Sequence, residues 1–319
     1  MVHDYFLGSM AKESSDSDHD DDVYFSRQLP VIDPDMLQDV LCILAKQNDE
    51  AVREPEEYLD HLSPSNTVEL LFQTCAKLEL PICVQVTAVE YLDRFLVQHV
   101  RDLRKQLGLP SACAAVSWDS VVGRMREQVM LRMLSCIQIA SKMFSSVKGL
   151  ASVDVRDLLS AAGDSYGCHS VVQSELRVMR TLGYRLQLPT PLVYAEVLLE
   201  VIGHNEPNFE PKDLYSTMLR VLQGFYLVRQ EVHERALAHL EMDREATEKE
   251  QNRMIRAFKA DQLLIASSVI ASAVKIKFPQ RYTEFLGYLQ DVTRLSGKEV
   301  HDFSTVVMAV LFNEDPLAD

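Results

Sequence analysis

Apolar residues recur along most of the chain at intervals of three and four, which is the spacing of one face of an α-helix. The first such pattern follows Asp33-Pro34 and carries Leu37, Leu41 and Leu44. An aspartate can supply an N-cap oxygen, and a proline suits the first position of a helix. This segment is therefore predicted to form an amphipathic lead helix.

Five more helical patterns follow between residues 66 and 185. The pattern from Gln128 to Phe144 is apolar almost all round, which predicts a central buried helix. In the helix after Pro81, one acidic and one basic residue, Asp93 and Arg94, interrupt the apolar face. We expect these two side chains to pair with the ends of neighbouring helices.

The segment Leu188-Pro-Thr-Pro191 interrupts this series, since two closely spaced prolines disfavour a helix and favour an extended connector. A domain boundary is predicted there. Helical patterns resume near 192–202, 212–237, 253–277, 280–295 and 298–312, whereas 241–253 is charged and lacks an apolar stripe. The echo between Gln138-Ile-Ala-Ser141 and Leu264-Ile-Ala-Ser267 suggests that a five-helix unit is duplicated.

We therefore predict an all-α fold with three parts. Residues 1–32 contain the acidic run Glu13–Asp22, which repels itself and predicts a disordered acidic tail. Residues 33–189 form the lead helix followed by an N-terminal five-helix domain, and residues 190–319 form a C-terminal five-helix domain.

Composition narrows the possible functions. The net charge of −15 argues against nucleic-acid binding through a general basic surface. Six cysteines are scattered without a C-x-x-C pair, which is typical of reduced core thiols. No apolar run approaches the ~20 residues that span a bilayer, and the N-terminus lacks a signal-peptide pattern, so we expect an intracellular protein.

Catalytic chemistry has few candidates in this sequence. Gly163-Asp-Ser-Tyr-Gly167 matches the G-x-S-x-G pattern, but a nucleophile elbow needs a strand before the serine, and here a helix is predicted. A turn between helices is the better interpretation of Ser165. The chain has neither an H-E-x-x-H pair nor a glycine-rich phosphate loop. We therefore expect no catalytic residue, no metal and no cofactor, and no enzymatic activity.

Four segments resemble a cyclin box: Tyr91-Leu-Asp-Arg-Phe-Leu96, Ile139-Ala-Ser-Lys142, Glu175 through Tyr184, and Leu188-Pro-Thr-Pro191. The resemblance covers roughly residues 35 to 200. It implies an N-terminal cyclin box, and the second half then resembles the C-terminal cyclin fold. The expected fold is thus two tandem five-helix cyclin-like folds.

The resemblance also implies a partner-docking site. In cyclins that activate kinases, a lysine ending the third helix and a glutamate on the fifth hold the kinase's regulatory helix, and Lys142 and Glu175 occupy the matching positions. Such a pair at the rim of an apolar groove fixes the register of a docked helix. The groove is predicted to be lined by Ile139, Met143, Met179, Tyr184 and Leu186. The alternative is that Lys142 and Glu175 are ordinary surface charges.

Two departures from the cyclin pattern matter. The first-helix docking sequence of cell-cycle cyclins is matched by Ser63-Pro-Ser-Asn-Thr67 with Leu70, which puts substrate recruitment there in question. Phe144 and Ser145 stand where an acidic pair often follows the third-helix lysine, which puts kinase activation in question.

Within the cyclins, Ala51-Val-Arg-Glu54 and residues 188–203 are most similar to the cyclin N-terminal domain-containing proteins, which are implicated in meiotic crossover maturation. The resemblance implies a regulator that binds a cyclin-dependent kinase or other meiotic crossover factors. It would lie in the nucleus, on meiotic chromosomes, with the cytoplasm as an additional location. Two alternatives stay open: a cyclin-fold scaffold without kinase binding, and a transcription-factor-like double cyclin fold that binds DNA.

Overall fold

The computed structural model describes residues 33–56, 59, 62–107, 123, 125–144, 149–187, 189–206, 208–239 and 247–313. The predicted acidic tail and Cys113 lie outside these residues. All regular structure within the described ranges is helical, which confirms the all-α prediction.

The described helices are α1 (Pro34–Arg53), α2 (Ser65–Lys77), α3 (Ile82–Leu107), α4 (Val129–Phe144), α5 (Ser152–Ala161), α6 (Cys168–Thr181), α7 (Pro191–Asn205), α8 (Pro211–His239), α9 (Glu248–Ala260), α10 (Gln262–Lys277), α11 (Tyr282–Thr293) and α12 (Gly297–Phe312), with a 3₁₀ turn at Pro279–Arg281. They form two units. The box unit lies within Asp60–Leu188 and holds α2 to α6. The split unit combines α1, from the stretch that ends at Leu59, with α7 to α12, which follow from Pro189.

Helix α4 is the core of the box unit. It contacts α2, α3, α5 and α6, and every residue from Leu131 to Ser141 is buried. The predicted central helix is therefore confirmed. Its all-round apolar sequence follows from this position, because no face of the helix is left for water.

Asp93 and Arg94 of α3 pair with chain segments at the ends of other helices, as the sequence predicts. The Ser63 backbone N–H donates to Asp93 Oδ1 at 2.6 Å, just before α2 begins. The Arg94 guanidinium donates to the backbone oxygen of Arg185 at 3.0 Å, just after α6 ends. Both buried charges thus satisfy backbone groups that the helices themselves leave unpaired.

Helix α10 has the corresponding role in the split unit. It contacts α1, α7, α8, α11 and α12, and every residue from Leu263 to Val274 is buried. The Ile-Ala-Ser sequence that recurs along the chain therefore lies in the buried central helix of each unit, α4 and α10.

The sequence-based prediction for 241–277 was wrong in one respect. It treated the charged stretch up to residue 253 as non-helical and the rest as one helix, whereas α9 begins at Glu248 and the chain bends before α10. A capping box starts α9, since the Thr247 N–H donates to Glu250 Oε2 at 2.8 Å and Thr247 Oγ1 accepts the Glu250 N–H. Asp261 then caps α10.

The lead helix begins at Pro34 with Asp33 as its N-cap, as predicted. It packs against α7, α9 and α10 of the split unit, although the sequence-based division places it with the N-terminal domain at 33–189. Buried Asn48 fixes this packing: its amide donates to Asp261 Oδ1 at 3.0 Å and its oxygen accepts the Leu263 N–H at 3.1 Å.

The described cysteines are free thiols with different environments. Cys75 and Cys136 are buried, as predicted, and burial raises the pKa of Cys75 to about 12. Cys83 and Cys168 are half-buried, and Cys42 is exposed on α1, so the prediction of a core thiol was wrong there.

No single helix among those described is long and apolar enough to cross a membrane. Helices α9 and α10, which are joined at a bend, have sufficient length and apolar composition only when they are counted together.

Candidate partner-docking site

Lys142 and Glu175 meet in the box unit. Lys142 lies in the last turn of α4 and donates to Glu175 Oε1 of α6 at 2.5 Å. The Lys142 side chain is 43% exposed, whereas the Glu175 side chain is 12% exposed. The structure therefore brings together the two charges that the resemblance singled out. An isolated pair of this kind contributes little to stability, so its surroundings decide whether it has a further role.

The chain after α4 returns against Lys142 and holds it in place. A Cβ on Gly149 would lie 2.7 Å from Lys142 Cγ and 2.9 Å from Lys142 Cα, so only glycine fits without a shift. The Leu150 N–H donates to Ser141 Oγ at 2.9 Å, and that hydroxyl donates to the Gln138 carbonyl at 2.8 Å. The sequence analysis did not identify Gly149, because its role depends on a contact with Lys142 that only the structure shows.

The predicted apolar lining divides into core and surface. Ile139 is 3% exposed and belongs to the core. Met143 is exposed beside Lys142, and so is Phe144, which was noted in the sequence only as a departure from the cyclin pattern. Met179 and Leu186 are half-buried. The end of α4 thus exposes two large apolar side chains in the two positions that follow Lys142.

Tyr184 is presented by an unusual turn after α6. Gly183 and Tyr184 adopt left-handed backbone angles, with φ values of 60° and 58°. A tyrosine rarely adopts this conformation, since its Cβ approaches the following carbonyl. The Tyr184 N–H donates to the Met179 carbonyl at 2.9 Å, and Tyr91 of α3 donates to the Leu186 carbonyl at 2.6 Å. The Tyr184 residue is left 63% exposed.

We use the name docking face for the ion pair of Lys142 and Glu175 together with the exposed large side chains that follow Lys142 or the end of α6 in the chain, which are Met143, Phe144 and Tyr184. It combines a charged pair with exposed aromatic and thioether side chains on backbone that hydrogen bonds hold in place. Interfaces draw most of their binding energy from such large anchors, while charged pairs set orientation.

Two other features bear on chemistry. Within the described ranges, no three His, Cys, Asp or Glu side chains come together in a way that could hold a metal ion. The Gly163–Gly167 segment connects α5 to α6, so Ser165 follows a helix, as the sequence predicts, and the strand that a nucleophile elbow requires does not precede it.

Comparison with known proteins places the docking face inside a recognised domain. Residues 39–187 match the family model for the cyclin N-terminal domain. The chain is similar to cyclin N-terminal domain-containing protein 1 of Homo sapiens, with 28% identity over 284 residues, or 88% of this chain and 86% of the human protein. The Mus musculus protein of the same name is 28% identical over 284 residues, which cover 88% of this chain and 85% of the mouse protein. Residues 39–187 thus match the cyclin N-terminal domain, and the chain is similar to these two relatives over most of its length.

Proposed function

We propose that this chain is a non-enzymatic cyclin-like regulator whose docking face holds a helix of a partner protein, and that it thereby promotes meiotic crossover maturation in the nucleus. The observation that carries the proposal is the 2.5 Å pair of Lys142 and Glu175, with the exposed residues Met143 and Phe144 directly after Lys142 in the chain. The resemblance to cyclins supplies the kind of partner, and the similarity to the cyclin N-terminal domain-containing proteins supplies the process.

The ammonium group of Lys142 can bind a further acceptor in addition to Glu175. An ammonium group has three N–H donors, and the structure shows one of them directed at Glu175. The remaining donors of Lys142 can bind acceptors of a docking helix, because this side chain is 43% exposed. Glu175 is largely covered and serves mainly to orient the ammonium group.

The apolar part of the face favours a helix with an apolar anchor. Phe144 is exposed and lies two residues after Lys142 in the sequence, where kinase-activating cyclins often carry acidic residues. This substitution replaces charge with apolar surface, and burying such surface contributes about 25 cal/mol per Å². The partner is a cyclin-dependent kinase or another crossover factor that offers such a helix.

The test reverses the polarity of the face without breaking the pair. Lys142→Glu combined with Glu175→Lys restores an ion pair within the chain, so folding should be preserved. A docked helix, however, meets the opposite charges, which costs on the order of a few kcal/mol. Tagged wild-type chain and the double variant are purified from meiotic tissue, and the bound proteins are identified by mass spectrometry.

The outcomes separate the possible roles. Loss of a cyclin-dependent kinase from the double variant establishes a kinase-binding groove. If no kinase binds either chain but crossover factors are lost from the variant, the face belongs to a scaffold. If every partner is retained equally, the docking face does not bind partners and the proposal is wrong.

A further inference from the structure

Helix α1 has more apolar surface than its contacts within the chain cover. Leu37 and Leu44 are buried, and the Tyr194 hydroxyl donates to the Leu44 carbonyl at 3.0 Å, which fixes the side of α1 that faces inward. Met36 and Ile43 each precede one of these leucines by one position, so they lie about 100° around the helix from the buried side. The core of the split unit therefore does not account for these two side chains.

The uncovered apolar side chains form a row along α1. Met36 and Ile43 are 62% and 56% exposed. Seven positions separate them, which is close to two helical turns, so they lie on one side of the helix. Half-buried Val40 lies between this row and the buried side, and we call Met36, Val40 and Ile43 the α1 flank. Single exposed apolar residues are common on proteins, whereas a row at helical spacing is the pattern that a helix presents to a partner.

The α1 flank has an acidic border. The charged residues from the N-cap to the C-cap of α1 are all exposed, and six of the eight are acidic: Asp33, Asp35, Asp39, Lys46, Asp49, Glu50, Arg53 and Glu54. Asp39 follows Met36 by three positions and precedes Ile43 by four, so it is their neighbour on the helix surface. Glu50 follows Ile43 by seven positions, and Lys46 is the one basic residue within a turn of the row. Neither Asp39 nor Glu50 forms an ion pair with a described residue.

The charge of this surface decides which kind of molecule fits it. Residues 1–32 contain seven acidic and two basic side chains, so the chain's own N-terminal segment is repelled. The same face of a second copy carries the same carboxylates and is repelled as well. Nucleic acid and anionic lipid are disfavoured for the same reason. A basic protein segment is attracted instead, because its charges complement the border.

We propose that the α1 flank binds an amphipathic helix of a partner protein, with apolar anchors along one side of that helix and lysine or arginine beside them. The anchors pack against Met36, Val40 and Ile43, as ridges of side chains do between two helices. The basic residues pair with Asp39 and Glu50 and set the orientation of the bound helix.

The α1 flank is separate from the docking face. It belongs to the split unit, whereas Lys142 and Glu175 belong to the box unit. The two surfaces also select opposite charges, since the exposed charge of the docking face is an ammonium group and the border of the α1 flank is acidic. The proposal therefore does not rest on the proposed function, and either surface can fail its test without the other.

The probe is a synthetic helical peptide of leucine, alanine and lysine, with its leucines in one stripe. A peptide of about 18 residues is about 27 Å long, which exceeds the rise of about 21 Å from Met36 to Glu50 along α1. A second peptide has glutamate in place of every lysine. Binding to the full chain is measured by fluorescence anisotropy at physiological ionic strength. The lysine peptide should bind and the glutamate peptide should not, and equal binding of the two would overturn the proposal.

Variants of the apolar row test whether the lysine peptide binds at the α1 flank. Met36→Gln with Ile43→Gln should weaken its binding on the order of tenfold. Val153→Gln changes a side chain of α5 that is 48% exposed and should leave binding unchanged. Thermal unfolding confirms that each variant is folded. Wild-type affinity in the double variant would contradict the proposal.

Variants of the acidic border separate local pairing from general attraction to an acidic chain. Asp39→Lys with Glu50→Lys should weaken binding of the lysine peptide on the order of tenfold. The control is Asp291→Lys with Asp302→Lys, which changes the net charge equally at exposed positions of α11 and α12. The control should bind much as wild type does. Equal weakening by both pairs of substitutions would show that the peptide follows net charge alone, and the proposal would be wrong.

The methyl group of Met36 reports where the peptide binds. The full chain is labelled with ¹³C-methyl methionine, and Met36→Leu assigns the signal. The lysine peptide should shift the Met36 signal, and a shift of Met143 in its place would move the site to the docking face. Without peptide, a Met36 signal that changes on dilution would assign the α1 flank to a second copy. One that changes in Tyr24→Gln with Phe25→Gln would assign it to the N-terminal segment. Each of these three results would overturn the proposal.

Discussion

The imidazole of His233 makes the split unit sensitive to acid. It is buried on α8 and packs against Phe258 of α9 and Phe303 of α12, with ring centroids 5.9 Å and 6.2 Å away. Burial, followed by the charges of Lys259 and Arg229, lowers the pKa of His233 to about 3. This group therefore reports on the packing of α9, the helix whose start and separation from α10 the sequence analysis did not predict.

The sign of the effect follows from proton linkage. The unfolded chain gives His233 its ordinary pKa of 6.5, so below that pH the unfolded state binds a proton that the folded state does not. Stability is fully present at neutral pH and is lost as the pH falls from 6.5 towards 3. With 1.36 kcal/mol for each unit of pKa difference, lowering the pH from about 7 to about 5 costs roughly 2 kcal/mol.

The assay compares wild type with His233→Phe, which keeps an aromatic ring among its aromatic neighbours and removes the titrating group. Urea unfolding is followed by far-ultraviolet circular dichroism at the two pH values. The wild-type free energy of unfolding should fall by about 2 kcal/mol more than that of the variant. Other titrating groups contribute equally to both chains and cancel. Parallel losses in the two proteins would refute the reasoning.

Two further predictions concern the docking face. Gly149→Ala places a Cβ 2.7 Å from Lys142 Cγ, so it should lower the free energy of unfolding by about 1–3 kcal/mol and displace the Lys142 ammonium group. If thermal unfolding and partner pull-down both match wild type, the contact does not position Lys142. Tyr184→Asn replaces a residue at φ 58° with one that tolerates the left-handed region, so it should raise the free energy of unfolding by up to about 1 kcal/mol. The same variant should lower the amount of partner recovered. Unchanged recovery would show that Tyr184 is not part of the docking face.

Much of the fold could be predicted because its signals are local. The apolar sequence of α4 predicts a helix that is buried on all sides. The Pro-Thr-Pro connector lies where the box unit ends, at Leu188. The pattern at 253–277 covered the second half of α9, but its start at Glu248 and its separation from α10 were not predicted, because its first turns are charged. The Thr247–Glu250 capping box was the local signal available for it. The packing of α1 in the split unit depends on contacts far apart in sequence.

The site shows where the sequence stops being informative. Lys142 and Glu175 are 33 positions apart, and only the resemblance to cyclins joined them before the structure did. Burial of Ile139 and exposure of Phe144 could not be told apart by type, since both are apolar and lie on the same helix. The role of Gly149 depends on its contact with Lys142, which no local sequence pattern encodes.

Partner binding at Lys142 and Glu175 is best measured by the amount of partner recovered with the charge-swapped docking face, relative to a swap elsewhere. The control is Glu231→Arg with Arg235→Glu, an ion pair on α8 whose atoms lie 2.6 Å apart. We expect Lys142→Glu with Glu175→Lys to lower recovery at least about tenfold, as a loss of 1.4 kcal/mol or more implies, while the control swap recovers as much as wild type. Equal recovery with both swaps would show that Lys142 and Glu175 do not bind the partner.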